Sequence, residues 1–134
     1  MSKYTEINFG AVLGGDTPTN VICALSDLSK GWRVRDVIDH PFFDTPRHRE
    51  IMVGASDSFL RGFYPLPMIQ FDVGQSNSLT VVFRSSLKNY DREIELFLDW
   101  IRPYIIDACG ASNYFAVVCN DDGLPKIYYC EEHK

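Results

Sequence analysis

The chain has 134 residues, 46% of them apolar and 23% charged. That length fits a single globular domain, residues 1–134, able to bury about two-thirds of its unfolded surface, and the composition excludes collagen-like and wholly disordered chains. With 18 acidic residues against 13 Lys plus Arg, the formal charge is −5, a sign that repels a phosphate backbone and disfavours bulk binding of DNA or RNA.

Residues 4–13 alternate, Thr5, Ile7, Phe9 and Ala11 against Tyr4, Glu6, Asn8 and Gly10, a period of two that predicts a strand. Gly14-Gly15 breaks it. Asp16-Thr17-Pro18 then reads as a helix start, with Asp16 or Thr17 as cap. Val21, Ala24, Leu25 and Leu28 make one stripe of a helix over residues 18–29, and Gly31 is a natural stop.

Residues 31–66 carry Trp32, Val34, Val37, Ile38, Phe42 and Phe43, too apolar for a free linker, so they are expected to pack. Asp44-Thr45-Pro46 repeats the cap-plus-proline pattern and predicts a short helix over 46–52. A strand is expected over 58–64.

Residues 67–73 and 79–85 alternate cleanly about the turn Gly74–Ser78, which predicts a hairpin. A helix follows, with Asn89 as cap, acids in its first turn, and Tyr90, Ile94, Phe97, Leu98, Ile101 and Ile105 on one side. Pro103 should kink or break it, with a last turn ending near Gly110. Residues 113–120 are apolar on both alternations, as in a central strand, and 126–130 form a last short one.

The order β-α-(irregular)-β-β-α-β-β predicts an α+β fold. It would be a mainly antiparallel sheet with two long helices on one face, a ferredoxin-like arrangement being the simplest match. No apolar run approaches the roughly 20 residues of a spanning helix, and MSKYTEINFG lacks the apolar stretch of a signal peptide. A cytoplasmic, reduced chain is expected, without membrane association. Cys23, Cys109, Cys119 and Cys130 form no CxxC pair. They read as small apolar side chains, and neither a metal nor a cofactor is expected.

No catalytic signature stands out. His40 and His48 lie among Asp39, Asp44 and arginines, so a small enzyme using them as acid and base is one alternative. Their spacing fits no motif, and His40 before Pro41 and Asp44 before Thr45 read as turn and cap residues. The densest basic stretches, Arg33–Arg35 and Arg47–Arg49, are diluted by nearby acids and read as mixed solvated surface. Gly14-Gly15-Asp16-Thr17 matches no phosphate-loop pattern. Cys109, in Ala-Cys-Gly-Ala, reads as an exposed thiol with no partner tied to it.

If the odd residues face the helices, the other face of the sheet presents Glu6, Asn8, Gln70, Asp72, Thr80 and Arg84, with Tyr4, Tyr114 and Tyr128. Tyrosines and an arginine on an open sheet suit a protein partner or, as a further alternative, stacked single-stranded bases. Residues 31–66 folding over that face would bury them instead. Leu96 and Trp100 fall off the main helical stripe. They are either binding anchors, covered by residues 31–66, or packed in a homodimer.

The run Arg84-Ser-Ser-Leu-Lys-Asn89-Tyr90-Asp-Arg-Glu-Ile94-Glu-Leu-Phe97-Leu-Asp-Trp100-Ile-Arg-Pro103-Tyr104 resembles a small group of phage and prophage proteins of unassigned function, as do His40-Pro-Phe-Phe and Pro46-Arg-His-Arg. The resemblance implies a small accessory protein of a mobile element, without catalytic residues to carry over, that binds and disables a host or defence protein. The expected function is therefore non-enzymatic protein binding through Tyr4, Arg84, Tyr114, Tyr128 and Trp100.

Overall fold

The structure, a computed structural model, describes residues 4–54, 67–72, 77–109, 113–120 and 123–130. Strand β1 (Thr5–Leu13) buries every odd residue and leaves the even ones half-exposed. It pairs antiparallel with β3 (Ser78–Leu87) along its whole length, from Thr5 opposite Leu87 to Leu13 opposite Leu79. Two strands share its other edge. Residues Glu6–Phe9 pair with β5 (Tyr114–Cys119), and Ala11–Leu13 pair with β4 (Ile105–Ala108) across a register slip. Strand β2 (Met68–Asp72) flanks β3, and β6 (Lys126–Tyr129) flanks β5. Among the described residues the order is β2-β3-β1-β5-β6, six strands with β4 on β1, and every pairing is antiparallel. The predicted hairpin is β2–β3; the strand expected over 58–64 lies outside the described residues.

Two helices cover one face. α1 (Thr19–Ser29) has 11 residues and α2 (Glu93–Ile101) has nine. The expectation of two long helices over a ferredoxin-like sheet is thus corrected: the α+β class stands, with short helices on a six-stranded sheet. The second helix is short for two local reasons. Residues 89–92 make a turn, with Arg92 in the left-handed region at φ 61°, while the Asn89 side chain reaches past it to accept the Ile94 amide at 2.8 Å. At the other end Pro103 turns the chain into a 3₁₀ turn over Arg102–Tyr104, after which residues 105–108 run as β4 instead of a last helical turn.

α1 ends as predicted at Gly31. Its φ of 75° and the bonds Trp32 N–H to Asp27 O and Gly31 N–H to Leu28 O form a Schellman motif. Its start differs from expectation. Pro18 is the N-cap without a side-chain bond, and the Thr17 hydroxyl donates back to the Gly14 carbonyl at 2.6 Å.

The segment from 41 to 54 packs beside α2 as two 3₁₀ turns, Pro41–Asp44 and His48–Glu50, instead of the short α-helix expected. Phe42, Ile51 and Met52 are buried, whereas Trp32 and Val37, expected to pack, reach solvent at 49% and 98%. Phe42 stacks on Trp100 and meets Phe97 edge-on, with ring centroids at 6.0 and 5.5 Å. Phe97 in turn meets Phe9 and Phe83, themselves stacked at 5.1 Å. One aromatic cluster therefore joins sheet, helix and the 41–54 segment. Gly54 closes that segment against β3. Its carbonyl accepts the Ser86 amide, and a Cβ there would stand 2.6 Å from the Ser86 carbonyl oxygen.

Candidate functional site

Because both helices and residues 41–54 lie on one side, the sheet's other face has no described element layered on it, and its central residues are half-exposed. Along β1 this face presents Glu6, Asn8, Gly10 and Val12, flanked by Thr80, Val82 and Arg84 of β3. Arg84 donates from Nε and Nη2 to Glu6 Oε2 at 3.1 and 3.0 Å, and Asn8 Nδ2 lies 3.4 Å from the other Glu6 oxygen. Such a pair at the surface fixes side chains more than it stabilises the fold.

Gly10 has no side chain to fill the space above it. The result is a shallow groove of about 370 Å³, lined by Asn8, Gly10, Val82, Arg84, Cys109 and Tyr114. Glycine inside a strand marks close approach of another group, and here that group is Cys109. Its amide donates to the Gly10 carbonyl at 3.0 Å, and a Cβ on Gly10 would stand 3.0 Å from Cys109 Cβ. Burial and the nearby Asp107 charge push the Cys109 thiol up, the reverse of the shift that activates a nucleophilic thiolate.

Of the residues singled out from sequence, Arg84 and Tyr114 line this groove. Tyr4 sits just before β1, its ring centroid 5.8 Å from the Lys88 ammonium. Tyr128 does not join them. It pairs with Ala116, which pairs with Phe9 on the helix-bearing face, and its ring packs near Phe115 at 6.3 Å. A register irregularity puts one extra residue in β5 between Tyr114 and Ala116, so Tyr114 turns to the groove while Ala116 and its partner Tyr128 stay on the helix-bearing face. Tyr129, missed from sequence, is the tyrosine opposite Tyr114. Trp100 is 5% exposed beneath Phe42 and Phe43, so it is a core residue and not a binding anchor.

The histidines divide as well. His40 accepts the Phe42 amide on Nδ1 at 3.1 Å and donates from Nε2 to Asp99 at 3.0 Å, so it caps a 3₁₀ turn and ties it to α2. His48 is buried beside Phe42 and Phe43 and donates from Nδ1 to the Thr45 carbonyl at 3.1 Å. His48 and Asp44 line a second, polar hollow that neither His40 nor Asp39 reaches. The four residues weighed as an acid–base set therefore do not share one cleft.

Among the described residues no group of three His, Cys, Asp or Glu is placed to hold a metal ion, and the four cysteines are free thiols. No helix among them is long and apolar enough to cross a membrane. Compared with family models, curated proteins and solved structures, the chain matches none of them.

Proposed function

We propose that the protein is a non-enzymatic binding module that docks another protein on the sheet face that no described element covers. The groove over Gly10 carries this reading. It offers a recess for one apolar side chain, bordered by Tyr114 and Arg84, residue types that commonly anchor protein interfaces. The net charge of −5 favours a partner whose surface around that side chain is basic. The resemblance to phage and prophage proteins points to a host or defence protein as the partner, met in the cytoplasm, where free thiols stay reduced. A single-stranded nucleic acid is less well served, because the tyrosines are split between the two faces of the sheet.

Val82→Arg places a charged chain in the groove from an outward position on β3. Affinity capture from host lysate with the wild-type chain should recover a specific protein. The purified partner should then bind Val82→Arg at least about tenfold more weakly, and Tyr114→Ala more weakly too, with the circular dichroism of both variants unchanged. Capture of no specific protein, or equal binding by the folded variants, overturns the proposal.

A further inference from the structure

Within each of the two basic stretches seen in the sequence the arginines are not alike once folded. Arg35 is held by Asp27 at 2.9 Å, and Arg47 bridges Asp91 and Glu93 at 3.0 and 3.1 Å. Arg33 and Arg49 are both exposed, pair with no carboxylate among the described residues, and line the same polar hollow of about 390 Å³. His48 lines it too. It is 6% exposed, and Thr45 occupies its Nδ1, so Nε2 is the ring nitrogen left without a protein partner among the described residues. Asp44 supplies a carboxylate to the same hollow, with Phe43 and Pro46 in its wall.

The geometry points to a binding site for a phosphate group, lined by none of the residues that line the groove on the sheet. Two guanidinium groups suit an oxyanion, since each offers paired donors to its oxygens. The acceptors narrow the choice. Thr45 occupies Nδ1 of His48, so the other ring nitrogen is left to meet the ligand, and Asp44 presents only acceptor oxygens. Hydrogen phosphate, or a protonated phosphate monoester, carries a P–OH that can donate to the Asp44 carboxylate. Sulfate has no proton at neutral pH and would set its oxygens against it. The hollow therefore combines donors and acceptors in the pattern of hydrogen phosphate and selects it over an anion of similar size and charge.

Isothermal titration calorimetry of the full chain at neutral pH, with inorganic phosphate and with sulfate, tests this. Phosphate should bind saturably and sulfate at least about tenfold more weakly. The double variant Arg33→Ala/Arg49→Ala removes two exposed side chains and should weaken phosphate by about tenfold or more with the thermal transition unchanged. Asp44→Asn, which makes the acceptor a potential donor, should narrow the preference over sulfate. Phenyl phosphate and inorganic phosphate compared at about pH 6, where the monoester still carries its P–OH in good part, separate the two sources of the group: tighter binding than phosphate assigns an esterified ligand, weaker binding the free ion. No saturable phosphate heat, equal sulfate binding or an indifferent arginine variant overturns the inference.

Discussion

Asp27 is a carboxylate on the helix side that packs inward. Its side chain is 3% exposed, while that of its partner Arg35 is 74% exposed. Arg35 bonds it through the backbone amide at 3.2 Å, Nε at 3.4 Å and Nη2 at 2.9 Å. Those side-chain bonds hold the Asp27 carboxyl below its ordinary range, outweighing the opposing effect of burial, with the Arg35 amide and the charges of Arg35 and Lys30 assisting. A carboxyl lowered by folding stabilises the fold above its unfolded pKa, and that stability is lost as pH falls through the folded value. Asp27→Asn should therefore cost about 1 kcal/mol at pH 7, a modest figure because Arg35 is largely in water. The gap between variant and wild type should close as the pH drops below about 4. Urea titrations at pH 7 and pH 3 check both the size and the sign; a gap that stays constant would show that the charge is not what Asp27 contributes. The basic stretches teach a related lesson at this scale. From sequence Arg33, Arg35, Arg47 and Arg49 are indistinguishable, because pairing partners such as Asp27 and Glu93 are supplied by tertiary contacts.

At the scale of elements, α2 shows what periodicity reveals and what it hides. The stripe Ile94, Phe97, Leu98 and Ile101 is buried as the pattern requires. The helix ends, however, are set by single backbone events. Arg92 stands at φ 61°, ψ 35° just before the first helical residue, a left-handed conformation that costs an L-residue about 1–2 kcal/mol. Arg92 is exposed, and its carbonyl rather than its side chain makes the bond to Leu96. Arg92→Gly should therefore stabilise the protein by up to about 1 kcal/mol, the relief of strain exceeding the added freedom of the unfolded chain. A rise in the melting temperature reads this directly, and a fall would mean that the arginine side chain matters more than its backbone. Strands were more legible than helix ends: strict alternation located β1, β2 and β3, and glycine with left-handed backbone located the end of α1. The split between Tyr114 and Tyr128 was not legible, since the irregularity that separates their faces involves one residue of β5 and leaves no mark in composition.

At the scale of the whole molecule, the described elements support the sheet from one side. The packing layer comes from three separate stretches of chain, α1, residues 41–54 and α2, which meet in one core. From sequence the apolar 31–66 region is expected to pack and has two places to do so. The structure sets its described part against the helices, so Trp100 is covered, and no described residue of this region lies over the sheet face that carries Tyr114. Which place it took depended on partners far apart in sequence, Phe42 with Phe97 and Trp100, that no local pattern pairs. Phe97 is the residue common to all of them, touching Phe9, Phe83, Phe42 and Trp100 with ring centroids 5.5 to 5.9 Å away. Truncating it leaves a void bordered by sheet, helix and 3₁₀ segment at once, so the loss cannot be confined to one element. Phe97→Ala should cost about 3–5 kcal/mol. If this is one core, the variant should still unfold in a single step, with tryptophan fluorescence, measured in a Trp32→Phe background so that it reports Trp100, and far-ultraviolet circular dichroism giving coincident curves. Separation of the two curves would show that the 41–54 layer can detach while the sheet survives, and that the closed face is two structures in contact.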